Sequence, residues 1–164
     1  MGGGRFGNRT ATAEFNIWCD PEAAAAVFDS GAKIVMSGLH LTHQLMATPK
    51  RIEMVRGAHK VVGPKLAGLL EFFSKMYKSL HDDFEGAPLH DVCAVLYLTH
   101  PELFVASEKH VVVEIDGEHT RGMTVIDDRH VSSRTTANTT VLETIDADAA
   151  FATIVEAIRA CPER

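Results

Sequence analysis

The chain has 164 residues, of which 46% are hydrophobic and 23% charged, and its formal net charge is −6. These values are typical of a globular protein with its own core. The acidic balance argues against a nucleic-acid surface, which needs clustered lysine and arginine. No stretch reaches the roughly 18 consecutive apolar residues that span a bilayer, and the start lacks the apolar region of a signal peptide. We therefore expect a cytoplasmic protein that binds neither membranes nor nucleic acid.

The first forty residues combine a polar loop with one helix and one strand. Residues 1–19 are glycine-rich and then polar, which predicts a loop. Asp20-Pro21 is typical of a helix start, with Asp20 as the cap and Pro21 at the first position, and the helix is expected to end near Asp29. Residues 32–36 then read as a short buried strand.

The middle of the chain is predicted to be helical. Thr48-Pro49 opens a helix to about Val62, and Gly63-Pro64 opens another to about His81. Apolar residues recur at three- and four-residue spacing in the second helix and share one face: Leu66, Leu69, Leu70, Phe73 and Tyr77. Residues 82–88 are expected to form a loop, and residues 90–98 a third helix.

The last third of the chain is predicted to be mostly strand. Residues 110–115, 122–126 and 139–144 carry the valine, isoleucine and threonine content of strands, and Asp116-Gly117 is a candidate hairpin turn. An amphipathic helix over residues 146–161 closes the chain. No interior linker divides the sequence, so we expect one mixed α/β domain over residues 1–164.

Two groups of residues could carry chemistry. Asn8, Glu14 and Asn16 fall in one predicted loop before a helix, and such polar groups suit a small polyhydroxy ligand. The alternative is a surface loop with a helix cap. His90-Asp91 is a weaker signal: histidine can give a proton near neutral pH, whereas the alternative is a surface histidine beside a capping aspartate.

The remaining cysteines and histidines give no further site. Cys19, Cys93 and Cys161 are too widely spaced for a disulfide framework or a zinc site, and Cys93 is expected to be a small buried residue. Six scattered histidines are expected on the solvated surface rather than in a metal cluster: His59, His81, His100, His110, His119 and His130.

The run from Gly2 through Ala24 and the segment Leu89-His90-Asp91 resemble the inosine-uridine-preferring nucleoside hydrolase family. The resemblance implies that Asn8, Glu14 and Asn16 bind the ribose of a nucleoside, mainly at its 5′-hydroxyl. It further implies that Asp91 is a ligand of Ca²⁺ and that His90 is a candidate proton donor to the leaving base. Val92 stands where the family usually has proline, which leaves these chemical groups unchanged.

Softer matches accompany these motifs. Tyr77 is similar to family aromatics that close over the base, although an aromatic at helical spacing is more often core. Residues 39–44 look like a family segment in which aspartate commonly stands at the position of His40, and we expect Thr42 and His43 within it to be structural. Residues 120–124 are interpreted as support for the fold.

The family's aspartate-rich signature, Asp-x-Asp-x-Gly-x-Asp-Asp, does not occur in this sequence. The resemblance therefore covers only the family's C-terminal half, and it implies the C-terminal part of a nucleoside-hydrolase-like open mixed sheet with flanking helices. We expect the chain to be a truncated ribonucleoside hydrolase with little activity alone and an incomplete Ca²⁺ site. The expected partners are a ribonucleoside and either an N-terminal half or, in the full-length context, further copies. The alternative is a ribonucleoside-binding module without catalysis.

Overall fold

The structure, a computed structural model, describes residues 1–80, 84–129 and 136–162. Within these ranges the helices are α1 (Phe15–Cys19), α2 (Pro21–Phe28), α3 (Leu39–Thr42), α4 (Pro49–Ala58), α5 (Val62–Leu80), α6 (His90–Thr99) and α7 (Ala147–Arg159). The strands are β1 (Ile34–Met36), β2 (Met46–Ala47), β3 (Ala87–Pro88), β4 (Phe104–Lys109), β5 (Val111–Val113), β6 (Thr124–Ile126) and β7 (Thr139–Ile145). A single 3-10 turn, Pro101–Leu103, precedes β4.

The chain divides into two compact units. The first unit comprises Met1–Thr42 and His90–Ile145. Its main sheet has the order β1-β7-β4, in which β1 is parallel and β4 antiparallel to β7. Strands β5 and β6 pair antiparallel in a separate sheet. The core of this unit is formed by side chains from its helices and strands: Ile17, Phe28, Met36, Val111, Val113 and Val141.

The second unit comprises His43–Leu89 and Asp146–Arg164. Helix α4 packs against both α5 and α7, and the two-residue strands β2 and β3 pair antiparallel beside them. Ile52 and Val55 of α4 are buried, as are Phe151 and Val155 of α7. Burial of these apolar faces is the main stabilisation of such a helical cluster.

Side-chain caps explain where the predicted helices begin. Asp20 accepts a hydrogen bond from Ala23 N at 2.9 Å, and Asp146 accepts one from Ala149 N at 3.0 Å. Thr48 caps α4 in the same way. Each cap satisfies a backbone N–H that has no partner inside the helix. The predicted helices and the antiparallel pairing of β5 with β6 are confirmed, with ends shifted by a few residues. The turn between these strands lies at residues 118–122 rather than at Asp116-Gly117.

Several elements were not expected from the sequence. Helix α1 lies in the stretch predicted as a loop, and Glu14 caps it. Strand β4 pairs along its length with β7 although its sequence lacks apolar alternation, and β2–β3 is too short for a periodic pattern. The predicted end of α5 at His81, like residues 82–83 of the predicted loop, lies outside the described residues.

The scattered histidines are not all on the surface. His119 is exposed, and His100 and His110 are half-buried. His59 is only 8% exposed, so the prediction that it lies on the solvated surface was wrong. The reason is local: His59 Nδ1 accepts hydrogen bonds from Val61 N and Val62 N, both at 3.1 Å, at the start of α5. His81 and His130 lie outside the described residues.

Cys93 is fully buried, as expected, and burial raises the pKa of its thiol to about 12. A thiol with that pKa is protonated at neutral pH and is not a nucleophile. Among the described residues, no helix combines the length and apolar character needed to cross a membrane.

Candidate functional site

The carboxylate of Glu14 is buried in the first unit, with only 3% of the residue exposed. As the cap of α1, its Oε1 accepts a hydrogen bond from Asn16 N at 2.9 Å. Its Oε2 accepts from Gly3 N at 2.9 Å and from Ile17 N at 3.3 Å. These three donors compensate for the loss of hydration of a buried charge. A carboxylate has about four acceptor positions, so one remains for a further donor.

Two amide side chains flank this carboxylate in sequence. Asn8 Oδ1 accepts a hydrogen bond from Phe15 N at 2.9 Å, which fixes the loop against the start of α1. Asn16 Nδ2 lies 3.4 Å from the Met1 carbonyl oxygen. Within the described residues, Asn8 Nδ2 and Asn16 Oδ1 make no hydrogen bond. The site therefore offers amide groups as well as a carboxylate oxygen.

The loop that carries Asn8 closes on the residue before Glu14. The carbonyl oxygen of Ala13 accepts hydrogen bonds from the backbone nitrogens of Asn8, Arg9 and Thr10, at 3.2, 3.1 and 3.3 Å. Gly7 lies so close to the Ala13 backbone that a side chain there would overlap Ala13 O. Glycine is thus required for this tight closure.

His90 begins helix α6 in the same unit. Its Nδ1 lies 2.8 Å from Oγ1 of Thr42, a fully buried residue at the end of α3. Burial lowers the pKa of His90 below its ordinary value of 6.5, while the carboxylates of Asp91 and Glu14 act in the opposite direction. The structure therefore brings Glu14 and His90 within electrostatic range of each other.

Asp91 lies in the first turn of α6 and is exposed to solvent. A carboxylate is favoured there by the positive end of the helix dipole. Among residues 1–80, 84–129 and 136–162, no group of three or more His, Cys, Asp or Glu side chains could hold a metal ion. Since Ca²⁺ takes 6–8 oxygen ligands, the described residues do not form a complete calcium site.

Tyr77 lies in the second unit, in a cluster of aromatic rings. Its ring makes edge contacts with Phe73 and Phe84, with centroids 5.5 and 5.4 Å away. The residue is only 9% exposed, and burial raises the pKa of its hydroxyl. Packing accounts for this position, and the role of Tyr77 at a base remains a prediction.

Sequence reasoning missed the contribution of Thr42. The residue was expected to be structural, and the structure adds a direct contact with His90. The two residues are 48 positions apart, and no short motif links them. Only the resemblance, which covers both segments, could have suggested that they meet.

Comparison with known proteins gives a consistent picture. A profile of the family "Inosine-uridine preferring nucleoside hydrolase" matches residues 1–152. The chain is 43% identical over 150 residues to the pyrimidine-specific ribonucleoside hydrolase RihA of Klebsiella pneumoniae, covering 91% of this chain and 48% of that protein. The RihA of Shewanella woodyi is 45% identical over 147 residues, covering 89% of this chain and 47% of that protein.

Solved structures agree. The purine-preferring ribonucleoside hydrolase from Gardnerella vaginalis matches with a TM-score of 0.84 and 30% identity, over 97% of this chain and 51% of that one. The plant nucleoside hydrolase PpNRh1 matches with a TM-score of 0.86 and 26% identity, over 98% of this chain and 52% of that one. The chain thus spans about half the length of the relatives it matches. It belongs to the inosine-uridine preferring nucleoside hydrolase family.

Proposed function

We propose that this chain carries the sugar-binding and proton-donating part of an enzyme that hydrolyses the N-glycosidic bond of ribonucleosides to ribose and free base. The observation that carries the proposal is the Glu14 carboxylate, buried and held by three backbone donors, in the same compact unit as His90. The curated relatives are named ribonucleoside hydrolases, which supports the same reaction for this chain.

In this proposal, Glu14 accepts a hydrogen bond from a ribose hydroxyl with its remaining acceptor position. The amides of Asn8 and Asn16 supply further hydrogen bonds to the sugar. The reaction passes through a sugar cation with positive charge on the ring, as in other glycoside hydrolyses. A fixed, buried carboxylate stabilises that charge more strongly than a solvated one, because its dipolar surroundings need no rearrangement.

His90 is the proposed proton donor. The bond between C1′ and the base nitrogen breaks with its electron pair going to the base, which takes a proton from His90. The oxygen of a water molecule bonds to C1′ and loses a proton to a general base, which the resemblance assigns to the family's N-terminal aspartate-rich segment. Tyr77 is proposed, from the family resemblance alone, to contact the nucleobase.

The remaining parts of the proposal concern partners. We propose that the chain corresponds to the C-terminal half of the family fold, that it is cytoplasmic, and that the full-length protein forms homo-oligomers. Asp91 can contribute one carboxylate to Ca²⁺, and the other ligands would have to come from an N-terminal half.

A ribonucleoside-binding module without catalysis is the second candidate. It is favoured by the lack, among the described residues, of any group of side chains that could hold a metal ion. Such a module would bind ribose hydroxyls through Glu14 without turnover. Binding and turnover must therefore be measured separately.

The test measures release of free base from uridine, cytidine and inosine in the presence of Ca²⁺. Two proteins are compared: this chain alone, and a hybrid in which the N-terminal half of the Klebsiella relative precedes it. We expect turnover in the hybrid, and a decrease of about 10²- to 10⁴-fold in kcat for His90→Ala. The exposed His119→Ala is the matched control and should leave kcat unchanged. Binding of uridine without turnover in either protein would instead support the module.

A further inference from the structure

The glycine segment, residues 2–4, lies between Glu14 and strand β6. Gly3 N donates a hydrogen bond to Glu14 Oε2 at 2.9 Å. The next residue, Gly4, makes two bonds with one side chain: its N–H donates to Thr124 Oγ1 at 2.9 Å, and its carbonyl oxygen accepts from the same hydroxyl at 2.7 Å. Thr124 therefore holds the residue directly after the one that holds Glu14.

In these two bonds the hydroxyl of Thr124 acts once as an acceptor and once as a donor. A hydroxyl has one proton to donate, and its lone pairs can accept. The proton goes to Gly4 O and a lone pair receives Gly4 N–H, so the orientation of the hydroxyl is determined. Thr124 is only 2% exposed, and the loss of these bonds would leave two backbone groups buried without partners.

The methyl group of Thr124 restricts Gly3 as well. Gly3 has a φ of +70°, and a Cβ at this residue would lie 2.6 Å from Thr124 Cγ2. Only glycine combines that backbone angle with so close an approach. The methyl group of Thr124 thus leaves no room for a side chain at residue 3, and its hydroxyl holds Gly4.

A second connection joins the residue before Glu14 to the residue before Thr124. Ala13 and Met123 form an antiparallel bridge, and these residues directly precede Glu14 and Thr124. Ala13 is fully buried. Residues 120–124 therefore lie beside the candidate site, although the sequence suggested only that they support the fold. Thr124, the last of them, is connected to the site through the glycine segment.

We propose that Thr124 is a positioning residue, which sets the orientation of the Glu14 carboxylate through the N–H of Gly3. This proposal rests on the proposed function, in which Glu14 binds a ribose hydroxyl. The chain of contacts runs from the hydroxyl of Thr124 to Gly4, and from Gly3 to Glu14 Oε2. Thr124 itself does not touch the sugar in this proposal.

The first experiment measures amide hydrogen exchange by NMR in the chain as it is. In Thr124→Val, exchange at Gly3, Asn16 and Ile17, the three donors to Glu14, should accelerate about fivefold or more. Thr124→Ser keeps the hydroxyl and should restore slow exchange. The matched control is Thr139→Val, which removes the hydroxyl of another buried threonine in the same unit and should leave these three amides unchanged. If Thr124→Val does not fold, Thr124→Cys takes its place. The cysteine thiol is a weak donor and acceptor, so exchange at the three amides should accelerate by an intermediate amount.

The second experiment compares uridine with 5′-deoxyuridine, which lacks the 5′-hydroxyl that the family resemblance assigns to Glu14 together with Asn8 and Asn16. Thr124→Val should lower affinity or kcat/KM for uridine about tenfold and change the value for 5′-deoxyuridine less than about twofold. An equal loss for both ligands would mean that Thr124 only supports the fold, and it would overturn the proposal. Unchanged exchange at the three amides would overturn it too. If the unsubstituted protein neither binds nor hydrolyses uridine, the proposed function fails, and the exchange experiment still decides whether Thr124 holds Glu14.

Discussion

Thr42 Oγ1 lies 2.8 Å from His90 Nδ1, and it joins the end of α3 to the first residue of α6. Thr42 is fully buried, whereas His90 is half-buried. The same hydroxyl lies 3.5 Å from the Leu39 carbonyl oxygen. The direction of the bond to His90 depends on which ring nitrogen carries a proton. In the protonated, proton-donating form of His90, Nδ1–H donates to the hydroxyl and Nε2–H is left for the base. Nδ1 of the proposed proton donor thus lies against a neutral hydroxyl.

Replacement of Thr42 should therefore impair His90. The test uses the hybrid with the N-terminal half of the Klebsiella relative, in which we expect turnover of uridine. There, Thr42→Val removes the hydrogen bond and keeps the shape of the side chain, and we expect kcat to fall about tenfold with little change in KM. Thr42→Ser should restore most of kcat. Thr99→Val, at an exposed threonine on the last turn of α6, is the control. Equal kinetics in Thr42→Val and the unsubstituted protein would show that the contact does not orient the ring.

Glu14 combines two roles that can be separated. Glu14→Ala removes the cap of α1 and should lower the free energy of unfolding by about 1 kcal/mol, or more because buried N–H groups lose their acceptor. Asp20→Ala removes the cap of the next helix, α2, without changing the candidate site. We expect both variants to have a lower melting temperature. Only Glu14→Ala should lose binding of uridine, measured by calorimetry. If Asp20→Ala lost binding equally, the effect would come from the fold and not from the carboxylate.

The buried His59 should stabilise the start of α5. Its Nδ1 accepts two backbone N–H bonds, the task that Asn, Asp or Ser usually performs at a helix start. His59→Ala should lower the free energy of unfolding by about 1 kcal/mol, and His59→Asn, which keeps an acceptor, by less. Urea titration measures both values. His119→Ala, at an exposed position, should have no effect, and a similar loss there would contradict the capping role.

The sequence predicted best those elements whose signals are local. Asp20-Pro21 and Thr48-Pro49 each combine a capping side chain with proline at the first helical position, and both helices begin there. Strand β4 was missed because its burial pattern follows its pairing with β7 rather than an alternation of apolar residues. Its hydrogen-bond partner lies more than thirty residues later in the chain.

The candidate site was predictable for a different reason. Asn8, Glu14 and Asn16 were identified by resemblance, and no local rule reveals that Glu14 both caps α1 and accepts a bond from Gly3. Thr124 lies 120 residues from Gly4 along the chain. Contacts of this kind depend on the tertiary fold, so a residue proposed to position the site escapes motif analysis, although the residues proposed to bind ribose do not.

An ionic cluster around Arg5 should make the first unit sensitive to acid. Arg5 Nε and Nη2 donate to the two carboxylate oxygens of Asp128 at 3.0 and 2.9 Å, and Nη1 donates to Glu143 Oε2 at 2.8 Å. The hydrogen bonds from Arg5 lower the pKa of Asp128. Burial acts to raise the pKa of Glu143, but hydrogen bonds from Arg5 and Ser107 outweigh it and lower the pKa.

The sign of the pH effect follows from these directions. A carboxyl whose pKa is lower in the folded than in the unfolded state binds fewer protons when folded, so it stabilises the protein above its unfolded pKa. That contribution is lost as the pH falls through the folded value. The ordinary values are 3.8 for Asp128 and 4.5 for Glu143, so the loss should begin below about pH 4.5.

Arg5→Met should therefore reduce the acid sensitivity of the protein. Without the guanidinium, the two carboxyl groups have pKa values closer to those of the unfolded chain, and the melting temperature should fall less steeply below pH 4.5. His40 belongs to the same cluster: burial, and then the charge of Arg5, lower its pKa from 6.5, so its protonation also destabilises the folded state as the pH falls. Arg5→Met removes the second of these causes. Both effects of Arg5→Met act in the same direction, so the expected sign of the change is the same for His40 as for the two carboxyl groups. Arg159→Met, which removes an exposed pair with Glu156 in α7, is the control and should keep the original slope. The same slope in Arg5→Met would mean that Arg5 does not govern these carboxyl groups, because solvent screening of partly exposed charges leaves the cluster too weak.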